Sequence, residues 1–170
     1  NVPVDEKDIE ASYLGSPKLG RARLKPFTTL LNEVSRYRSA SKRRVDLIVF
    51  PEVSVPHAWE GMLAAWVRRH RIGVVCGLEH RIDHKGQALN EVLALLPYQS
   101  GSGHWACIPV RRVKRFYSPA EEFILKNEHL VVPRPKISRY HLFRWRGASF
   151  AIYNCFELAS IEDRAIFKGH

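Results

Sequence analysis

Three residues in this chain have types and settings that could do chemistry together: Glu52, Lys114 and Cys155. Glu52 directly follows an apolar run in "LIVFPEVSVP". Ligands of open α/β sheets gather at the carboxyl ends of strands, so a carboxylate carried there is placed to act as a general base. Cys155 stands in "AIYNCFELAS", where an apolar run gives way to polar flanks and a helix start. A thiol at such a junction faces the positive end of a helix dipole, which lowers its pKa and raises its thiolate fraction. The backbone N–H of Phe156 would point into the same space and offer an oxyanion donor. Lys114 ends "WACIPVRRVKRFY" and could supply a cation where negative charge develops. Blander readings stand beside these. Glu52 could be a solvated loop glutamate, Lys114 part of a charged strand end or phosphate-binding patch, and Cys155 a small core residue. Cys76 in "GVVCGL" and Cys107 in "WACIPV" read as packed hydrophobes.

The elements that must position these groups follow from periodicity. Asn1–Val4 reads as the end of a strand and residues 5–18 as a polar connection. Leu24, Phe27, Leu30, Leu31 and Val34 recur at helical spacing within 19–38. Val45 to Phe50 is short and mostly apolar, and Pro51 follows it; it reads as a strand buried on both faces. A helix over 59–70, an apolar strand over 72–77 and a strand over 87–97 after the His84-Lys85-Gly86 turn come next. "HRIDHKG" reads as a turn. A strand over 105–115 leads to Ser118-Pro119-Ala120-Glu121, whose capping-box spacing starts a helix. Strands over 136–143 and 149–153 flank an Arg146-Gly147 turn, and 160–168 reads as helical. Alternating strands and helices followed by a strand-rich middle indicate an α/β sandwich in one unit.

Bulk composition narrows the class. The chain has 170 residues, 45% hydrophobic and 26% charged, ordinary values for one folded domain. No apolar run reaches the ~20 residues of a membrane span. Three cysteines without paired spacing argue against a disulfide framework and point to a reducing cytoplasm. There is no C-x-x-C, P-loop, G-x-G-x-x-G or G-x-S-x-G, so metal and nucleotide motifs give no lead. The net charge of +10 favours anionic partners, nucleic acid included, although its short clusters also fit solvated faces. The chain opens on Asn1 and its only methionine is Met62, so further sequence is expected upstream.

In this order and context, Glu52, Lys114 and Cys155 resemble the Glu-Lys-Cys triad of the nitrilase superfamily, the carbon–nitrogen hydrolases. "VDLIVFPEVSVP" is similar to the family's strand ending in Phe-Pro-Glu. "GVVCGLEHRIDHKGQALNEVLALLP" resembles its glycine strand, turn and Asn-containing strand, with Asn90 at that Asn. "RRVKRFYSPAEE" resembles the lysine segment and "FAIYNCFELASIE" the nucleophile segment. Phe156 and Glu157 fill the aromatic and acidic places after the cysteine, and Glu162 matches a later glutamate. A second glutamate follows the lysine in many members; Glu122 matches its spacing best and Glu121 is the fallback. Ala159 and Ile161 depart from the family's arginine and proline.

The resemblance implies a nitrilase-like α-β-β-α sandwich over 1–170. It is expected to be incomplete at its C-terminal end, because the family's last strands and helix would lie beyond His170. It implies a thiol-dependent hydrolase of amides or nitriles working through a thioester, with no cofactor and no metal. In that scheme Glu52 is the base, Lys114 and the Phe156 N–H hold the oxyanion, Cys155 attacks, and Glu122 orients Lys114 or substrate. A homo-oligomer, or a partner domain completing the fold, is also implied. Nitrilase-like domains also occur attached to larger proteins, including bacterial reverse transcriptases linked to phage defence. An accessory domain serving assembly or nucleic-acid binding is therefore the alternative expectation.

Overall fold

The computed structural model describes residues 6–13, 15–40, 45–135 and 139–169. Its centre is a mixed four-stranded sheet in the order β1-β2-β3-β4. β1 (Leu47–Val49) runs parallel to β2 (Gly73–Ile82). β3 (Ala88–Gln99) and β4 (Trp105–Val113) continue the sheet antiparallel. The two long helices are α2 (Arg21–Ala40) and α3 (Glu60–His70), the latter entered through a 3₁₀ turn at His57–Trp59. The chain is a mixed α/β fold, as expected. No helix among the described residues is long and apolar enough to cross a membrane.

Alternation along the central strands divides the core between two faces, because successive side chains of a strand point opposite ways. Val74, Cys76 and Leu78 of β2, with Leu93 and Leu95 of β3, meet Phe27 and Leu31 of α2 and Leu63 and Val67 of α3. The predicted apolar stripe of α2 thus supplies Phe27 and Leu31 as fully buried residues, with Leu24 and Leu30 packed beside them. On the other face Val75, Val92 and Ala94 pack with Val110, Phe143 and Ile152. Phe143 belongs to a small hairpin of β5 (Phe143–Trp145) and β6 (Ala148–Phe150). Its turn residues Arg146 and Gly147 both have positive φ, 51° and 80°, the geometry that two-residue hairpins with the native strand twist require.

Several sequence expectations are corrected. The polar connection over 5–18 contains a helix, α1 (Glu6–Tyr13). Its Tyr13 ring packs at 4.4 Å from His80, and the Ser12 hydroxyl accepts the His80 N–H at 2.7 Å. β1 is an edge strand rather than one buried on both faces; Val49 is 68% exposed. β2 runs on through His80 to Ile82, so the turn begins later than "HRIDHKG" suggests. The strands over 136–143 and 149–153 shrink to three-residue pairings, and residues 151–154 continue without a ladder. The strand over 1–4 and residues 136–138 lie outside the described residues. The capping-box helix is present as α4 (Pro119–Asn127), and the terminal helix as α5 (Ile161–Ala165).

One contact fixes where the Glu52 loop lies. The Gly77 N–H donates to Pro51 O at 3.1 Å, and Gly77 O accepts from the Ser54 and Val55 N–H groups at 3.0 and 3.1 Å. A Cβ on Gly77 would stand 2.4 Å from Glu52 Cα and 2.6 Å from Val53 N. These are backbone atoms that cannot swing aside, so only glycine lets the loop close on β2. Gly77→Ala is therefore expected to cost about 1–3 kcal/mol by overpacking. Gly61→Ala, with open space around it on α3, should be neutral or stabilise by up to about 1 kcal/mol. Urea denaturation of both variants checks the contrast.

Candidate active site

The site grows from the end of β4. Lys114 lies one residue past the strand, and its backbone N–H donates to Asn90 O at 2.7 Å, extending the β3–β4 pairing. The side chain is fully buried. Its Nζ donates to Glu52 Oε1 at 2.8 Å and to Glu121 Oε1 at 2.5 Å, and stands 5.3 Å over the Tyr117 ring. Burial would lower the lysine pKa, but hydrogen bonds and charge from Glu121 and Glu52 outweigh it, and the pKa is raised. Burial likewise raises the Glu121 carboxyl, yet the bonds from Lys114 and the Ser118 N–H hold it below the usual glutamate value.

Of the two glutamates after the lysine, Glu121 and not Glu122 is the one that bonds Lys114. Ser118 caps α4 through its Oγ, which accepts the Glu121 N–H at 3.2 Å, while Glu121 Oε2 accepts the Ser118 N–H at 2.7 Å. That leaves Glu121 Oε1 facing Lys114. Glu122, one position further round the helix, takes Arg134 at 2.9 Å instead. A capping box at the N-terminus of α4 thus aims the carboxylate.

Asn90 links this group to the cysteine segment. It is fully buried on β3, and its Nδ2 donates to Glu52 Oε1 at 2.7 Å. Its Oδ1 accepts from Asn154 Nδ2 at 3.4 Å, and its N–H donates to the Tyr117 hydroxyl at 3.3 Å. Cys155 follows Asn154 and is exposed, in contrast to buried Cys76 and half-buried Cys107. It opens a 3₁₀ turn, Cys155–Ala159, rather than the α-helix expected, with φ at 39°. Five residues give too short a run for a macrodipole of α-helical size. Phe156, the expected oxyanion donor, is the next residue of that turn and is 39% exposed. Glu162 lies exposed on α5.

Sequence reasoning missed the clamp that holds this turn. Glu157 is fully buried and accepts four hydrogen bonds. Two come bidentate from Arg112 at 2.6 and 2.7 Å, and two from the N–H groups of Arg115 and Asn154, each at 2.8 Å. Arg112 also donates to Ile152 O at 3.0 Å and lies 4.5 Å over the Tyr140 ring. The cysteine turn is therefore bolted to the strand that carries Lys114. Two signals were present: Arg112 is two residues before Lys114, on the same face of a strand, and Asn154-x-x-Glu157 has capping-box spacing.

Both attachments are testable. Removing one partner of a buried pair strands the other's charge, so Glu157→Leu and Arg112→Met should each cost about 3–5 kcal/mol. The double variant Arg112→Met/Glu157→Leu should cost clearly less than the sum, as read by a denaturation double-mutant cycle. For Glu121 the folded pKa lies below its ordinary value of 4.5. Its contribution is therefore present above about pH 4.5 and lost as pH falls through the folded value. The stability gap between wild type and Glu121→Gln should be level above pH 5 and close below about pH 4.5.

Compared with known proteins, the chain matches no family model, no curated protein and no solved structure.

Proposed function

We propose that the chain is a nitrilase-superfamily domain and acts as a thiol-dependent hydrolase of small amides or nitriles. The observation that carries the proposal is the hydrogen-bonded string Glu121–Lys114–Glu52–Asn90–Asn154, which ends on the neighbour of the one exposed cysteine among the described residues. It joins a carboxylate to a buried cation and ties both to the residue before a thiol; base, cation and thiol are the parts acyl transfer requires. In the proposed fold, the four-stranded sheet with α2 and α3 is one half of an α-β-β-α sandwich. A reducing cytoplasm suits a working thiol.

For an amide, Glu52 takes the Cys155 proton as Sγ bonds to the carbonyl carbon. The carbonyl electron pair moves to oxygen, giving a tetrahedral oxyanion held by the Phe156 N–H and Lys114. Lys114 has three N–H donors, and Glu52 and Glu121 use two. The third reaches the oxyanion once substrate parts the two carboxylates, each 21% exposed above the covered lysine. The C–N bond then breaks, and Glu52 returns the proton to the leaving amine. Water, deprotonated by Glu52, attacks the thioester, the C–S bond breaks and the thiol regains its proton. Glu121, held by its helix cap, keeps Lys114 charged and oriented throughout.

Alkylation needs no known substrate. With limiting iodoacetamide, peptide mapping should find Cys155 modified first. Burial pushes the Cys76 thiol up to about 12 and the Cys107 thiol up to about 11. Turnover of a panel of small amides and nitriles, followed by intact-mass detection of the acyl-enzyme, tests the activity. Cys155→Ala should abolish the adduct, and Glu52→Gln should reduce turnover by about 10²–10⁴-fold. Glu121→Gln should impair turnover and Glu122→Gln should not. Unchanged turnover in Cys155→Ala would remove the proposal.

A further inference from the structure

A concave feature lies away from the lysine and cysteine. It is a groove of about 270 Å³ between α3 and the edge strand β4, lined by Gly61, Ala64, Ala65 and Arg68 on the helix and by Trp105, Ala106 and Cys107 on the strand. The helix runs antiparallel to the strand: Glu60 at its start pairs with Arg111 near the end of β4, while Arg68 in its last turn reaches the beginning of β4. From Gly61 to Arg68 the floor is about 10 Å long at 1.5 Å per residue.

The C-terminal end of this groove is basic: Arg68 lines it, and Arg71 lies over its Trp105 wall. Arg68, Arg69 and Arg71 are exposed, and among the described residues none forms an ion pair. Cations suit a helix C-terminus, but that need is already met. Arg38 donates to His70 O, and Arg146 donates to Arg71 O at 2.7 Å while pairing with Asp46. Arg71 itself occupies the left-handed capping position, φ 57°, where glycine is usual. Its side chain returns over the groove wall, 4.8 Å above the Trp105 ring. Non-glycine residues persist in such conformations where the surroundings hold them, and these cluster at functional positions.

We infer that this groove binds single-stranded nucleic acid, with Arg68 on a phosphate and Trp105 with the Arg71 guanidinium as the surface on which a base packs. A basic track beside an aromatic platform is the chemistry that holds unstacked strands without sequence readout. Small residues along the floor let the strand approach the helix closely. A duplex is disfavoured because its bases are not free to stack on a side chain. The net charge of +10 adds long-range attraction of the same sign.

The test is fluorescence anisotropy of the 170-residue chain with a labelled oligothymidylate of about 15 nucleotides, titrated between ~50 and ~200 mM salt. Arg68→Ala/Arg71→Ala should weaken binding at least about tenfold and reduce the salt slope by about 1–2. Trp105→Ala should weaken it about tenfold and Trp105→Phe should retain most of it. Lys126→Ala/Lys168→Ala removes the same charge elsewhere and should weaken binding far less, through long-range attraction alone. Absence of wild-type binding overturns the inference. So does equal loss in the distant lysine pair, a groove variant that binds like wild type, or a preference for duplex or anionic vesicles.

Discussion

A fully buried lysine is the constraint around which the rest of the structure is arranged. A charge taken out of water without partners costs several kcal/mol after relaxation, so Lys114 can stay charged only if carboxylates come to it. Two do, from opposite directions in sequence: Glu52 from the loop after β1 and Glu121 from the first turn of α4. Two residues earlier on the same strand face, about 7 Å away, Arg112 makes the same demand and draws in Glu157. Neutralising two cations on one strand thus gathers three separate segments: the Glu52 loop, the α4 cap and the cysteine turn. Each brings a group the proposed chemistry needs, so charge burial and site assembly are one process.

The gathered segments are also strained, and the clamps explain why the strain persists. Val53, next to Glu52, has φ 53°, a genuine outlier for a β-branched residue, and Cys155 has φ 39°. Such conformations cost on the order of 1–3 kcal/mol each and survive only where the surroundings over-determine them. Around Val53 that role falls to the three backbone hydrogen bonds with Pro51, Gly77 and their neighbours. Around Cys155 it falls to the Asn154 N–H held by Glu157. The result is an exposed cysteine that follows a residue held by buried hydrogen bonds.

Much of this framework could be read from residue pattern because it rests on strong periodicity. Phe27 and Leu31 announce α2 at helical spacing, and Ser118-x-x-Glu121 announces the α4 cap. The failures have physical reasons. In α1, "EKDIEASY" offers one short amphipathic stretch whose helix depends on packing Ser12 and Tyr13 against His80, a tertiary contact invisible to local spacing. β1 reads as doubly buried because its residues are apolar, yet it lies at the sheet edge, and edge position is a property of topology. The choice of Glu122 over Glu121 followed spacing to the lysine. The capping box already assigned Glu121 an inward-facing carboxylate, and its second oxygen was free to serve Lys114. Arg112 was hidden by its basic neighbours: only the two-residue alternation of a strand separates it, buried, from Arg111, exposed and paired with Glu60.

That same alternation keeps two chemistries apart on one strand. Cys107 of β4 packs with the core under the helices, and Trp105 walls the groove beside α3. Val110 and Arg112 face the hairpin and the cysteine turn. Lys114 extends the second set past the strand's end, into the carboxylates. A strand of nine residues therefore carries a basic groove at its beginning on one side and the proposed catalytic group beyond its end on the other. Side chains on opposite faces share only the backbone, and the backbone here is tied along its length to β3. Truncating a groove arginine or Trp105 leaves that ladder and the Lys114 hydrogen bonds in place, so the proposed binding at the groove and the proposed chemistry at Cys155 can be separated by mutation. The strand still ties them mechanically: anything that shifts β4 against β3 moves Arg112, and with it the turn that presents the thiol.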